Sequence, residues 1–186
     1  MIETILLAII ICKIKGYKIK PLFKSWALYP IIFLELVYLV FQVNIFMGNY
    51  EILDTASMFK TVYFLSYLFL VLKNEIYISA IVGSVFMILG GWLNDLAIRA
   101  NGGFMPVFPT LSYLTGYAKE GAFGLANDIH ILGSSETNLK ILTDFIDIGY
   151  SILSIGDIFI RIFVFLIIYN SIKTLNNRAK IGGEIC

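Results

Sequence analysis

At 186 residues the chain has room for one domain and not for two substantial ones. It is 59% hydrophobic and only 15% charged, with a mean hydropathy of +0.84, whereas a soluble domain carries about 25% charged residues; a soluble core could not bury that much apolar surface, so the excess must face lipid. A net charge of +1 without a clustered basic face excludes nucleic acid as a partner, and two cysteines with one histidine cannot furnish a structural zinc site.

The pattern is that of an all-α, polytopic helical membrane protein, a single integral domain over residues 1–186 with five transmembrane helices. A helix needs about 20 predominantly apolar residues to cross about 30 Å of hydrocarbon. The first run, residues 2–17, reaches that length only if the helix continues through Lys13-Ile14-Lys15 with both lysines extending to the head groups. An interfacial helix followed by four spans is the alternative. The chain starts Met1-Ile2-Glu3-Thr4 and puts its basic cluster after the apolar run, the reverse of a signal peptide, so the start reads as mature protein. Residues 26–47 and 77–100 span outright, and 56–72 does so with Lys60 snorkelling outward. A long connection, residues 101–151, precedes the last span at 152–172. It is too apolar for a solvated linker, with Phe104, Val107, Phe108, Leu111 and Tyr113 crowding its first part. Its second part, Leu139 to Ile146, has apolar residues at helical spacing behind Ser135-Glu136-Thr137-Asn138 as N-caps, so a cap of short helices is predicted. No internal repeat supports an inverted-repeat transporter.

Lys and Arg sort by membrane side. Lys13, Lys15, Lys18, Lys20 and Lys24 lie between the first two spans, Lys73 between the third and fourth, and Lys173, Arg178 and Lys180 after the fifth. With five spans all three groups fall on one side, which is then cytoplasmic. The N-terminus is outside, the C-terminus inside, and residues 101–151 are extracytoplasmic. Cys12 and Cys186 are expected as free thiols.

Ionisable groups within spans are costly unless paired or hydrated. Glu35 sits near the centre of the second span, Asp95 and Arg99 in the outer part of the fourth, and Asp157 and Arg161 in the outer half and middle of the fifth. Both acid and arginine pairs stand at i and i+4 with the acid first, the better orientation. Glu35 is left over, and its depth matches that of Arg161, with which it is expected to pair. Such a pair either fixes packing or serves binding or proton movement. Ser79 and Gly83 form a small-xxx-small pattern, and Gly90 and Gly91 lie one turn before Asn94 and Asp95, so this face is predicted to be buried and to aim both polar residues into the bundle. Asn101-Gly102-Gly103 then ends the helix with glycine in a left-handed cap. His130 follows two residues after Asp128. Ser112, Ser134 or Ser135 could act as its nucleophile, but no recognised serine motif surrounds them; a histidine hydrogen-bonded in the cap is the simpler reading.

Asn94, Ala97, Ile98, Asn101-Gly102-Gly103, Met105-Pro106-Val107, His130 and Ser154-Ile155-Gly156-Asp157 together resemble a bacterial family of small membrane proteins catalogued as domain of unknown function 5317. The resemblance covers about residues 90–172 and implies membership and a bacterial cytoplasmic membrane, with no particular reaction. The leading expectation is a small solute or ion bound or transported at a polar site in the outer half of the bundle. Glu35, Asn94, Asp95 and Asp157 would line it under a lid carrying His130, with Arg99, Asn101 and Arg161 as further candidates. The alternatives are an intramembrane enzyme acting on a lipid or polyprenyl substrate with His130 or Asp95 as acid or base, and an accessory subunit docking a membrane protein partner or a second copy. No cofactor and no metal are expected, and the lipid bilayer is the expected surrounding.

Overall fold

A computed structural model describes residues 1–49, 52–119, 121, 123 and 129–183, with side chains for all of these except 52–58 and 181–183. Asp128 and Cys186 lie outside the described residues. The fold is mostly helical: α1 (Ile2–Ile14), α2 (Lys20–Phe23), a 3-10 turn (Trp26–Leu28), α3 (Tyr29–Met47), α4 (Ile52–Ser66), α5 (Leu68–Asn74), α6 (Tyr77–Ala100), β1 (Met105–Val107), α7 (Leu111–Thr115), β2 (His130–Leu132), β3 (Ile146–Asp147), β4 (Ile152–Leu153) and α8 (Ile155–Gly183).

Among the described residues three helical stretches are long and apolar enough to cross a membrane: Trp26–Met47, Tyr77–Ala100 and Ile155–Lys180. The two other expected spans fall short of that length. Helix α1 has 13 residues, about 20 Å at 1.5 Å per residue, and Gly16 leaves the helical region with φ 78. The segment expected at 56–72 is divided at Tyr67, where bonding tightens to i,i+3: Tyr67 N–H donates to the Phe64 carbonyl at 3.2 Å and Leu70 N–H to the Tyr67 carbonyl at 3.1 Å. Tyr67 itself keeps right-handed helical angles, φ −68 and ψ −20, so the chain stays helical in sense through the joint.

The residues fall into two compact units: one of Met1–Leu36, Thr61–Met87 and Arg161–Cys186, the other of Val37–Lys60 and Ile88–Ile160. In the first, α1 buries Thr4, Ala8 and Cys12 at four-residue spacing and leaves Leu6, Leu7, Ile10 and Ile14 half or more exposed. Small residues occupy the packed stripe because they let another helix approach, and the large apolar ones suit lipid. The stripe faces α8: Cys12 Sγ, a free thiol, lies 3.9 Å from the Tyr169 carbonyl, and the Lys15 ammonium donates to the Tyr169 hydroxyl at 2.9 Å. Gly83 of α6 meets Phe163 so closely that a Cβ would stand 2.8 Å from its ring, as the small-residue pattern requires. Asn176 clamps the chain after α1, accepting from Lys18 N–H at 2.7 Å and donating to the Lys18 carbonyl at 2.8 Å. Arg178 donates to the Lys73 and Asn74 carbonyls at the end of α5 and to the Glu75 carboxylate at 2.7 Å, where Glu75 takes a left-handed φ of 58.

In the second unit the end of α6 packs on the start of α8. A Cβ on Gly90 would stand 2.3 Å from the Gly156 carbonyl oxygen, while Gly91 has open space around it. Gly90 is therefore the helix contact and Gly91 is not. The helix closes as expected: Gly103 N–H returns to the Ile98 carbonyl at 2.9 Å with Gly102 at φ 70 and Gly103 at φ 94. The connection that follows departs from the predicted cap of short helices. β1 pairs in parallel with β2, matching Met105 with His130 and Val107 with Leu132, and β3 pairs antiparallel with β4 across Gly149. Leu139 to Ile146 is not an α-helix: Leu139 is left-handed at φ 48 and Thr143 extended, leaving only a 3-10 turn at Lys140–Leu142. Asp144 instead runs beside β1, its N–H donating to the Pro106 carbonyl at 3.1 Å and its carbonyl accepting from Phe108 N–H at 2.8 Å. Backbone pairing with an apolar strand outweighs local helical spacing here, since a buried β1 without partners would leave its polar groups unsatisfied.

Candidate functional site

The second unit holds the best-developed polar cluster. At its base Ser154 and Asp157 form a reciprocal cap on α8: Asp157 N–H donates to Ser154 Oγ at 2.9 Å, and Ser154 N–H donates to Asp157 Oδ2 at 3.2 Å. Asn94 of α6 joins the cap, accepting from Ser154 Oγ at 2.7 Å and donating to Asp157 Oδ1 at 3.1 Å. Gly156 sits under that amide; a Cβ there would be 2.0 Å from Asn94 Oδ1. The string Ser154-Ile155-Gly156-Asp157 thus works as a helix start with room for a partner side chain. It matches the sequence form of a capping box before an apolar run.

In the same unit β1 pairs with β2 and bridges to Asp144, which brings His130 and Asp144 together, His130 Nε2 standing 3.5 Å from Asp144 Oδ2. His130 is 39% exposed in its side chain and Asp144 only 6%. Asp144 Oδ1 is buried with no hydrogen-bond partner among the described residues. Burial pushes the Asp144 carboxyl above its ordinary 3.8; His130 pulls the other way, the charge of Asp157 adds to the rise, and Lys60 opposes it. Asp157 and Lys60 are therefore near enough to be felt electrostatically at Asp144.

A second acid, Asp147, has the opposite character. Its carboxylate accepts from Thr110 N–H at 2.6 Å, Ser112 N–H at 2.8 Å, Ser112 Oγ at 2.6 Å and Gly149 N–H at 2.8 Å. Burial alone would raise its pKa, but these four bonds together hold it below 3.8. Asp147 organises the connection, and Ser112, fully buried with its hydroxyl given to Asp147, is not available as a nucleophile for His130.

The expected site residues sort into different roles. Asn94 and Asp157 fall in the α8 cap, and His130 in the pair with Asp144. Asp95 does not point with Asn94: it pairs with Arg99 at 2.8 Å, the predicted i,i+4 bridge, with side chains 46% and 77% exposed. Asn94 and Asp95 are adjacent on the helix, so about 100° separates them and one face cannot hold both. Asn101 spends its amide on structure, donating to the Ala97 and Asn138 carbonyls and accepting from Asn138 N–H at 2.9 Å.

Two predicted ion pairs do not form. Arg161 binds neither Asp157 nor Glu35; its guanidinium goes to the Glu3 carboxylate and to Thr4 Oγ1 at 3.3 Å. Glu35 accepts instead from the Tyr63 hydroxyl at 2.5 Å, and that hydroxyl is 2.6 Å from the buried Tyr67 hydroxyl. Depth along a helix leaves the facing partner open, and a tyrosine hydroxyl satisfies a carboxylate without a second buried charge. Glu3, Tyr63, Tyr67, Asp144 and Asp147 were not anticipated as members of these clusters. Among the described residues no three His, Cys, Asp or Glu side chains are grouped to hold a metal ion.

A family model described as "Family of unknown function (DUF5317)" matches residues 19–169. The chain belongs to this family. No curated protein and no solved structure matches it. The residues that carried the resemblance to DUF5317 are mostly the joints of the second unit: Asn94 and Ser154 to Asp157 at the helix cap, Ala97 buried beside Asn101, and Met105 to Val107 as the strand that aligns His130 with Asp144.

Proposed function

We propose that this DUF5317 chain is a five-span integral protein of the bacterial cytoplasmic membrane that binds, and carries across, a small solute or ion, with Asp144 and His130 at the binding site. The observation behind the proposal is the buried Asp144 oxygen without a partner, beside a half-exposed histidine. A buried carboxylate is costly unless matched by a donor or a cation, so the chemistry favours a small cation, the proton included. His130 then stands at the entrance, and the charge of Asp157, which is felt at Asp144, adds to the pull on a cation. The five-span reading draws support from the helical sense kept through Tyr67 and from Lys15 and Lys73 beside the rings of Tyr169 and Trp26, the basic and aromatic pairing that suits a membrane interface. That reading puts the N-terminus outside, the C-terminus in the cytoplasm, and residues 101–151 on the outer face.

The test is flux of protons, sodium, potassium and a small organic amine in proteoliposomes under an imposed gradient. At least one is expected to move in wild type and to be lost in Asp144→Asn. Equal leak through wild type, Asp144→Asn and protein-free vesicles would remove the transport reading. A second reading is favoured by the same dyad: a carboxylate behind a histidine can orient it as a general base. Release of product from a lipid or polyprenyl substrate, abolished in His130→Ala with cation flux unaffected, would select it.

A further inference from the structure

We infer that the first unit carries a separate binding site for the phosphodiester head group of an anionic phospholipid, in the cleft between the start of α6 and the later part of α8. The cleft is a cavity of about 230 Å³ lined by Glu75, Ile76, Ile78 and Ser79 on one side and by Asn170, Lys173, Thr174 and Asn177 on the other. It is smaller than the roughly 300 Å³ at which pockets for whole organic ligands begin, and it suits a head group whose chains stay outside.

The charge balance selects an anion. Glu75 is already neutralised by Arg178 at 2.7 Å. Lys173 makes no ion pair among the described residues, so the lining keeps one uncompensated positive charge. The donors are also unspent: Ser79, Thr174 and Asn177 make no side-chain hydrogen bonds among the described residues, and Asn170 uses its amide N–H only on the Leu166 carbonyl one turn back. An ammonium with hydroxyl and amide donors on a second wall is the arrangement that holds phosphate oxygens.

The surroundings select a lipid as the source of that phosphate. Ile78 is 79% exposed on the cleft wall, and Ile81 and Val85, at 66% and 52%, continue the ridge along α6 away from it. An acyl chain leaving a seated head group would lie on that ridge. The cleft also opens where the apolar stretch of α6 begins at Tyr77, the level at which head groups lie, and basic pockets between membrane helices are known to take anionic head groups. This site is independent of Asp144 and does not need cations to move.

The experiment uses the full chain in mild detergent. Native mass spectrometry counts bound lipid during titration with dioleoylphosphatidylglycerol, dioleoylglycerol and inorganic phosphate. One phosphatidylglycerol is expected per chain, with no comparable binding of the phosphate-free diacylglycerol. Lys173→Gln is expected to weaken it about tenfold, as loss of a charged hydrogen bond does, and Thr174→Val to weaken it less. Lys180→Gln, with a lysine outside the cleft, should leave it unchanged. Equal binding of dioleoylglycerol, an unaffected Lys173→Gln, or an equal loss in Lys180→Gln would each overturn the assignment. Binding of inorganic phosphate without the lipid would replace the head group with a soluble anion and overturn it as well.

Discussion

Alanine at Gly156 tests the closest helix contact in the second unit. Its Cβ would stand 2.5 Å from the Gly90 carbonyl oxygen and 2.0 Å from Asn94 Oδ1, both well inside the roughly 3.3 Å at which carbon and oxygen rest. The first obstacle is helical backbone, which cannot rotate away, so α6 and α8 must separate, at an overpacking cost of about 1–3 kcal/mol. The second is a side chain that must leave its partners. Asn94 would lose the Ser154 hydroxyl, worth about 1 kcal/mol, and Asp157, a charged acceptor worth about 1.5–3 kcal/mol. Better helix propensity returns no more than about 1 kcal/mol. The net loss is about 4 kcal/mol, on the order of 10 °C in apparent Tm for a chain of this size. Thermal unfolding of purified protein in detergent, at one fixed scan rate, measures it. Gly91→Ala is the control, because nothing lies within 4 Å of a Cβ there, and it should be neutral or slightly stabilising. A Gly156→Ala protein as stable as wild type, or a Gly91→Ala protein equally weakened, would refute the contact.

Asp147→Ala removes the acceptor for four hydrogen bonds and strands the buried Ser112 hydroxyl, so a loss of about 2–4 kcal/mol is expected in the same assay. The two loop carboxyls should respond to acid in separate windows. Asp144, raised above 3.8, makes the protein gain stability as pH falls from its folded pKa toward 3.8, and Asp144→Asn should flatten that part of the profile. Asp147, held below 3.8, contributes stability that is present above that value and lost as pH falls through its folded pKa; Asp147→Asn should flatten that lower part. Tyr63→Phe takes the donor from Glu35 and the partner from Tyr67, and should cost about 1–3 kcal/mol. Glu35→Gln, which keeps an acceptor for Tyr63, should cost less, and the reverse order would mean that the carboxylate has another partner.

Much of the second unit was legible from local spacing. The glycine-ended α6, the i,i+4 bridge of Asp95 with Arg99 and the Gly90 contact all follow from rules that act within a few residues. The loop was not legible, because Leu139 to Ile146 has the apolar spacing of a helix and only the presence of β1 beside it draws Asp144 into extended pairing. The ion pairs failed for a related reason. Arg161 and Glu3 are 158 residues apart, and depth alone allows any acid at that level as a partner.

By itself the sequence determined that the chain is helical, apolar beyond what a soluble core can absorb, and a member of DUF5317, since composition, helix-end chemistry and short motifs are properties of neighbouring residues. Which face of each helix is buried was decided only by tertiary structure. Apolarity marks the inner face of a helix only where the outer face is polar, and α1 is apolar on both, with Leu6, Leu7 and Ile10 outward and Ala8 and Cys12 inward. The pairing of Asp144 with His130 was likewise decided by tertiary structure, because β1 takes the His130 strand and the Asp144 segment as its two partners.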